Sequence, residues 1–560
     1  MKILGISCYY HDAAAALVVD GRVVAAAAEE RFTRKKHDND LPVQAIRYCL
    51  DWMNFAATDI DVVAFYEKPI VKFHRILYQH LQEFPKSHKV FASTMGSWFS
   101  RKLRIRELVK KHVGYKGDVL FFPHHLSHAA SSYFLSPFDR AAIVTLDGVG
   151  EWATTTMGAG RGTNIKIDQE IHFPHSLGLF YSTITAYLGF AVNNDEYKAM
   201  GLAAYGNPLR YAAQMDELIR MFDDGSFALN MKYFDYTWAD HMPSKHMEKI
   251  FGFGLRKAES RVFSHHEDLA AAAQKKLEDV VFNLLRVVYK RYKTQNLCLA
   301  GGVALNSVMN GKICAHTPFR KIYIPPDPGD AGGAMGVAIL ASGKRVTTFV
   351  PSLGPAYSDA QIESVLQSNN LAYKKLSESE LVETVATLLT KEKIIGWFQG
   401  RMEWGPRALG NRSILASAHR AEMKDIINSK VKHREMFRPF APVILDRYVH
   451  QYFHADKWLS PSTKYMLFVY PFTKKGRMDA PATVHVDKTG RLQVIERQDN
   501  PLYYDLIEAY RKKTGVPIII NTSFNVRGEP IVCTPKDAIT CFLTTAIDYL
   551  VIGSYLVKKT

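Results

Sequence analysis

Apolar residues along the chain fall into short runs broken by Gly, Pro and charged turns, and the runs alternate between strand-like and helix-like spacing. Residues 3–21, ILGISCYYHDAAAALVVDG, read as a β-rich run, a polar turn and a second β-rich run. The second run closes on Asp20-Gly21, a hairpin signal ahead of RVVAAAAEE. Residues 141–160, AAIVTLDGVGEWATTTMGAG, repeat this strand-turn-strand unit. The duplication predicts two related subdomains. An Ala-rich helix is predicted over about 266–293. It is followed by the strand NLCLAGG, the helix VALNSVMNGKICA, the strand KIYIPP and the glycine-rich helix start DPGDAGGAMGVAILA. Such alternation implies an α/β layer whose strand-end loops form a site.

The pattern is interrupted at 341–359, ASGKRVTTFVPSLGPAYSD, where Gly, Pro and Ser concentrate. Beyond it the alternation resumes: helices over 359–369 and 378–391, the strand KIIGWF, a helix over 420–432, then GVPIIINTSFN and a final DYLVIGSY strand. We therefore expect two α/β domains, 1–345 and 358–560. A length of 560 residues, too long for one ordinary core, agrees with this division.

Composition adds little to the fold but narrows the partners. The formal charge of +16 admits nucleic acid, an anionic membrane or phosphorylated small molecules. Much of it sits in RKLRIRELVKKHVGYK (101–116), which reads first as a solvated helix face. Six scattered cysteines without a C-x-x-C pair are expected to be buried free thiols. No stretch of about 18 apolar residues predicts a membrane span. Met1 runs straight into ILGISC without a basic leader, so a cytoplasmic location is expected.

Several clusters carry chemistry. His124 and His128 in FPHHLSHAASSYF stand four apart on a predicted helix, so both imidazoles can face one metal ion. Asp147 in TLDGVG and Asp330 in PPDPGDAGGA lie on strand-end loops and could complete a His/Asp site. Such mixed ligation suits iron, manganese or zinc. Glycine-rich turns supply the nucleotide-binding candidates: Gly301, Gly302 and Asn306 in AGGVALN, Gly332 and Gly333 in GDAGGAMG, and Gly148 beside Asp147. Tight packing demands glycine as often as phosphate does. Asp195, Glu196 and Lys198 in NNDEYKAMG offer carboxylates and an ammonium at a loop; a carboxylate there could take a proton from a substrate hydroxyl, or the acids could simply complement a helix dipole. In the second domain, GRMEWGPRALGNRSILA, KVKHREMFRPFAPVI and NTSFNVRGEPIV set arginines among Gly, Pro and apolar residues. Guanidinium forks there suit phosphate oxygens, and Asn or Ser side chains suit a small planar carbamoyl group.

Taken together, YYHDAAAALVVDG, EERFTRKKHD, FPHHLSHAASSYF, TLDGVG, DEYKAMGLAAYG, AGGVALN, GRMEWGPRALGNRSIL, FRPFAPV and NTSFNVRGEP closely resemble the O-carbamoyltransferases that decorate nodulation factors and antibiotics. The resemblance runs in order along nearly the whole chain. It implies an N-terminal domain similar to the tRNA threonylcarbamoyl transferases, with the duplicated actin and sugar-kinase type of fold, and a YrdC-like C-terminal domain. The implied chemistry is conversion of carbamoyl phosphate and ATP, with Mg2+, to carbamoyl adenylate, followed by transfer to an alcohol. Residue by residue, it implies that His124, His128, Asp147 and Asp330 hold Fe(II). Arg407, Lys432, Arg438, Arg491, Asn521 and Ser523 are implied to bind carbamoyl phosphate. His11 and Lys36, from the N-terminal hairpin and the strand after it, with Asp12 nearby, are implied to serve the acceptor or the transfer step.

Two other readings use the same motifs. Threonylcarbamoyl transfer to tRNA shares the N-terminal ones but leaves GPRALGNRS without a role. An actin-type ATPase with a chaperone-like role leaves the arginine cluster unexplained. We expect carbamoyl phosphate, ATP and a hydroxyl-bearing acceptor as partners, and neither nucleic acid nor membrane. Acceptor pockets are built from variable loops, and no pattern in the chain selects the acceptor.

Overall fold

A computed structural model describes residues 1–559. The chain divides into two compact units, and the division is not a single cut: Met1–Glu29 with Asn39–Phe349 form the first, and Glu30–Asp38 with Val350–Thr560 form the second.

The first unit contains the duplication. Strands β1 (Lys2–Ser7), β2 (Ala14–Val19), β3 (Arg22–Ala28), β4 (Val62–Phe65) and β5 (Val119–Phe121) lie in the order β3-β2-β1-β4-β5. The first three are antiparallel and β1-β4-β5 parallel. Asp20 and Gly21 both have positive φ, 51° and 85°, which is the turn that the twist of a two-residue hairpin requires. Strands β6 (Arg140–Leu146), β7 (Ala153–Arg161) and β8 (Asn164–His172) begin the second half, with a small hairpin β9 (Ile219–Met221) and β10 (Phe227–Leu229) to one side. Strands β11 (Asn296–Ala300) and β12 (Lys321–Tyr323) complete it. The order β8-β7-β6-β11-β12 repeats the first sheet strand for strand, antiparallel then parallel. Two such sheets in one unit constitute the duplicated actin and sugar-kinase type of architecture.

Helices α1 (His124–Tyr133), α2 (Ser264–Tyr292), α3 (Ser307–His316) and α4 (Asp330–Ser342) pack around these sheets. The Ala-rich stretch is α2, and Ile105 and Val109 are the buried residues of the basic helix Ile105–Val113. Arg106, Lys110, Lys111 and Lys116 are exposed and Arg101 pairs with Asp40 at 2.6 Å on the surface, so most of the basic run is a solvated face, whereas Lys102 is half-buried over the Trp98 ring.

Helix α4, from the end of the unit, lies against both β1 and α1. Glycine makes that approach feasible: a Cβ on Gly5 would lie 2.0 Å from the Ala334 carbonyl oxygen, and one on Gly336 2.0 Å from that of Ser127. Gly336→Ala is expected to destabilise the chain by about 1–3 kcal/mol, because backbone on both sides leaves no side chain to yield. Gly201→Ala, in the helix Glu196–Leu202 with open space around it, is the matched control, expected to be neutral or stabilising. Denaturant titration compares the two.

The second unit is built on nine strands: β13 (Tyr373–Lys375), β14 (Ile395–Phe398), β15 (Arg412–Ser417), β16 (Ala441–Leu445), β17 (Phe468–Pro471), β18 (Thr489–Ile495), β19 (Ile518–Ser523), β20 (Tyr549–Ile552) and β21 (Tyr555–Lys558). They form one mixed sheet in the order β13-β21-β20-β14-β15-β19-β16-β18-β17. Helices α5 (Glu378–Thr390) and α6 (Pro501–Thr514) cover one face. Leu381, Val385 and Leu389 of the first and Tyr503, Ile507 and Tyr510 of the second join Trp397, Leu415 and Ile519 of the sheet in one core. Each helix start is written in sequence: Ser377 and Glu380 form a capping box, and Asn500 caps a helix that opens on Pro501. Helix α7 (Pro535–Thr544) follows the NTSFNVRGEP loop.

Two sequence expectations change. The helix expected over 420–432 stops at Ile427 and continues as a wider turn over Asn428–Lys432, which buries Lys432. Lys36 is not on the strand after the hairpin: β3 ends at Ala28, a single helical turn occupies Glu30–Thr33, and Arg34 and His37 are left-handed. The Glu29 carboxylate fixes this break by accepting from the N–H groups of Gln44 (3.1 Å) and Ala45 (2.7 Å).

Candidate active site: a buried His/Asp cluster and a separate cation cluster

In the first unit α1 places His124 and His128 on one face, one turn apart. Asp147 follows β6, and Asp330 is the first residue of α4. All four are buried. Four ligand atoms, one from each, lie within 4.8 Å of one another. The two Nε2 atoms face each other at 3.0 Å. Asp147 Oδ2 lies 3.0 Å from the first, and Asp330 Oδ1 lies 3.7 and 3.5 Å from the two imidazoles.

An internal hydrogen-bond cluster accounts poorly for this arrangement. The Nδ1 atoms of both histidines and Oδ2 of Asp330 have no hydrogen-bond partner. Two facing Nε2 atoms need protons distributed against each other. A divalent cation resolves it: cis ligands about 2.1 Å from an ion stand about 3 Å apart, and two carboxylates with two neutral imidazoles balance a 2+ charge. The electrostatics favour positive charge at the centre. Burial alone would lower the pKa of His128, yet hydrogen bonds to Asp147 and Asp330 hold it up at about 10. Burial would raise that of Asp147, and the two histidines keep it well below the ordinary carboxylate value.

The surroundings set the orientation. Glu151, which sequence reading overlooked, accepts from the His124 N–H at 3.0 Å and from the Lys68 N–H at 2.7 Å, placing a carboxylate at the start of α1. His125, between the two ligating positions, belongs to the core. It contacts Thr145 Oγ1 at 2.6 Å and the Ala153 carbonyl at 2.8 Å, and burial followed by the proximity of His124 pushes its pKa down to about 3.

The expected nucleotide loops divide in two. Gly301, at φ 90°, would carry a Cβ 2.2 Å from the Leu146 carbonyl oxygen, and the Gly302 N–H donates to Asp147 Oδ1 at 2.8 Å. Gly148 sits in the same loop as Asp147, and a Cβ there would meet only Tyr10 Oη at 3.5 Å and Leu179 at 3.9 Å. Packing alone accounts for Gly332 and Gly333, as it does for Gly301. A Cβ on Gly332 would lie 2.0 Å from the Asp327 carbonyl oxygen, and one on Gly333 would lie 2.9 Å from the Tyr66 ring. Asn306 caps α3 by accepting from the Met309 N–H at 3.0 Å, and exchanges amide hydrogen bonds with Gln274 at 2.8 and 3.1 Å.

Asp195 and Lys198 form a buried pair at 3.0 Å, and Glu196 accepts from Ser182 Oγ at 2.7 Å and the Asn193 N–H at 2.8 Å. These three side chains hold a loop whose Asn193 carbonyl is hydrogen-bonded to His11 Nε2. His11 also contacts Asp12 at 2.6 Å. Burial, the largest single influence, would lower its pKa, but the hydrogen bond to Asp12 and the charges of Asp12 and Asp330 together outweigh it and raise it to about 10. Lys36 is half-buried in the second unit, on the 30–38 segment.

The second unit gathers the predicted arginines. Lys432, buried, points Nζ at the Ser523 carbonyl, at Asn525 Oδ1 (2.8 Å) and at the Asn525 carbonyl (3.0 Å). Burial, and then the charge of Arg434, push its pKa well below the ordinary lysine value. Burial likewise depresses the pKa of Arg491, with Arg407, Arg434 and Arg438 as neighbouring like charges. Five cationic side chains thus disfavour one another's charge, and Glu435 lies 3.7 Å from both Arg438 and Arg527. Arg434 lies inside the predicted KVKHRE motif but was not singled out. Asn521 donates to the Ala408 carbonyl at 3.1 Å and to Gln493 Oε1 at 2.6 Å, leaving its buried Oδ1 without a donor. Gln493 was the second omission, and the period of two along β18 that pairs it with Arg491 was the available signal. Arg412 differs in kind: fully buried, it bonds the carbonyls of Gln399 (2.6 Å), Asn411 (3.1 Å), Pro355 (3.0 Å) and Gly400 (3.1 Å), a structural role.

Residues 2–339 match the family of the carbamoyltransferase N-terminus, and residues 386–559 that of the carbamoyltransferase C-terminus. The chain belongs to the carbamoyltransferase family. This carbamoyltransferase is 37% identical to the nodulation protein NolNO of Sinorhizobium fredii, over 98% of this chain and 79% of that one. It is 38% identical to the nodulation protein NolO of Bradyrhizobium diazoefficiens, over 78% of each. An uncharacterised protein of Synechocystis is 44% identical over 100% of this chain and 97% of its own length. Among solved structures, the activator of 2-hydroxyisocaproyl-CoA dehydratase from Clostridium difficile aligns over 61% of this chain and 94% of its own, at 14% identity and a TM-score of 0.32. No helix among the described residues is long and apolar enough to cross a membrane.

Proposed function

We propose that this carbamoyltransferase activates the carbamoyl group of carbamoyl phosphate with ATP, as carbamoyl adenylate, and passes it to a hydroxyl of a small-molecule or glycan acceptor. The observation that carries this reading is the cation cluster of the second unit, in a chain whose two family matches are both carbamoyltransferase. Cationic side chains that repel one another are stabilised by a polyanion, and phosphate supplies one. The orphaned Oδ1 of Asn521 needs an N–H donor, and the carbamoyl NH2 supplies that.

In this reading the second unit, YrdC-like, performs the first half-reaction. Arg407, Arg438, Arg491 and Lys432 hold the phosphate, while Asn521 and Ser523 orient the amide. Overall, carbamoyl phosphate, ATP and water give carbamoyl adenylate, pyrophosphate and phosphate. In the second half-reaction the acceptor oxygen bonds to the carbamoyl carbon, its proton is lost and AMP leaves. The first unit serves this step. His124, His128, Asp147 and Asp330 would hold a metal ion, Fe(II) on the family resemblance with Mn(II) or Zn(II) equally suited to the donors, which would supply positive charge toward nucleotide phosphate. The backbone at Gly148, Gly301 and Gly302 lines the same loops.

His11, as an imidazolium, stabilises negative charge developing on the carbamoyl oxygen rather than accepting a proton. His11→Ala is expected to leave adenylate formation intact and to slow transfer by about 100-fold. The wild-type transfer rate should fall as pH passes about 10, where His11 loses its proton, and the variant should lack that limb. Half-reaction assays across pH measure both.

The proposal is tested by supplying carbamoyl phosphate, ATP and a panel of alcohols and following acceptor mass. A carbamoyl increment that depends on ATP and appears with AMP is expected. Carbamoylation without ATP would remove the adenylate from the scheme.

A further inference from the structure

We infer that the short segment Glu30–Asp38, an excursion of the N-terminal chain into the second unit, positions the anion-binding loops, with Arg31 and Phe32 acting as positioning residues for Arg407. The inference rests on the cation cluster being the carbamoyl phosphate site.

The segment begins and ends in the first unit's sequence, yet belongs to the second. Arg31, buried, donates to the Gly405 carbonyl at 3.0 Å, two residues before Arg407. Phe32 packs against Met402, Ala408, Ile531 and Cys533, so the residue directly after Arg407 is also engaged. The backbone of Arg407 is therefore flanked by contacts from two consecutive residues. Gly405 is left-handed, φ 100°, a conformation that carries no side-chain anchor of its own. On the far side of the same loop the buried Glu403 accepts from the N–H groups of Leu409 (2.8 Å) and Asn411 (2.7 Å).

Arg34 takes hold of the second loop. Its guanidinium donates to the carbonyls of Ile531 (2.7 Å) and Pro530 (2.8 Å) and lies 3.7 Å from Asp537, the residue that completes the cap of α7. That loop is continuous with Asn525, which donates through Nδ2 to the Glu529 carbonyl at 2.6 Å and accepts Lys432 Nζ through Oδ1 at 2.8 Å. Both arms of the anion site, Arg407 on one and the Lys432 cage on the other, are thus supported by residues within nine positions of the N-terminal sequence. The segment holds its own shape: the Glu30 carboxylate contacts Arg31 at 3.1 Å and accepts from the His37 N–H at 2.8 Å.

A purely structural strap would lower stability and disturb all substrates alike. A positioning strap loosens one site. In the full chain, Arg31→Ala is expected to raise the KM for carbamoyl phosphate by about 10- to 100-fold, the scale of one charge-assisted hydrogen bond lost behind the site, with the KM for ATP changed less than about 2-fold. Arg31→Lys, which keeps the charge and one donor, should recover part of the loss. Phe32→Leu, which keeps apolar contact, should give a smaller shift in the same substrate. Arg407→Ala is assayed in parallel. An unchanged carbamoyl phosphate KM in folded Arg31→Ala, or equal rises for both substrates with a lowered melting temperature, overturns the positioning role. If Arg407→Ala also leaves carbamoyl phosphate kinetics unchanged, the assignment of the anion site itself is wrong.

Discussion

If the His/Asp cluster binds a metal ion, the intact chain is expected to purify with one, and Asp330→Ala and His128→Ala to purify without it and to lose carbamoyl transfer by about 1000-fold or more while remaining folded. Removing one carboxylate halves the negative charge that four donors present to a divalent cation, and removing one imidazole reduces the donor set to three. A loss of about 4 kcal/mol in the transfer step corresponds to that rate. Elemental analysis of purified protein is the direct measurement. A second readout is independent of activity: added metal should raise the melting temperature of the chelator-treated wild-type chain and leave that of Asp330→Ala unchanged. His125→Ala separates the site from its setting. His125 is neutral and bonded to Thr145 and Ala153, so its loss should cost stability and spare the metal. Full metal content and full activity in Asp330→Ala would return the cluster to an ordinary buried polar network.

Sequence carried the site to the extent that its geometry is local. His124 and His128 share a face because they are four apart on a helix, and Asp20-Gly21 closes its hairpin because both positions accept positive φ. The two strand-turn-strand runs are identifiable as a repeat because each begins a sheet of the same order. Where a local signal has two physical causes, the sequence could not separate them. Gly332 and Gly333 look like a phosphate loop, yet the close approach of Asp327 and Tyr66 already requires glycine there. Asn306 has the side chain to meet a nucleoside, and gives it to the Met309 N–H and Gln274. Arg407 and Arg412 read alike in GPRALGNR, and only the carbonyls gathered around Arg412 distinguish the structural guanidinium. Features that depend on distant segments were out of reach. Nothing near residue 30 signals that Arg31 and Arg34 will meet carbonyls at 405 and 530–531. Glu151 likewise acquires its role at the start of α1 only when β6 and β7 are in place.

Arg407→Ala combined with Arg491→Ala should abolish adenylate formation from carbamoyl phosphate, lowering kcat/KM by about 1000-fold, while transfer from supplied carbamoyl adenylate stays within about 3-fold of wild type. Each guanidinium is expected to give a charge-assisted hydrogen bond of about 1.5–3 kcal/mol to a dianion, and two together reach that factor. The stability of the variants separates this from general damage. Arg491 is half-buried beside Arg407, Arg434 and Arg438, and the depression of its pKa by burial and by those charges means that holding it protonated is unfavourable in the folded chain. Removing it relieves repulsion, so Arg491→Ala alone should unfold at a temperature equal to or above that of the wild-type chain while losing the first half-reaction. A structural arginine behaves oppositely: Arg412→Ala would leave carbonyls of Gln399, Asn411, Pro355 and Gly400 unbonded in the interior and should lower the melting temperature sharply. Inorganic phosphate, binding among the same cations, should raise the wild-type melting temperature and fail to do so in the double variant. If instead the double variant forms adenylate normally and fails only in transfer, the two half-reactions have been assigned to the wrong units, and the cation cluster serves the acceptor step.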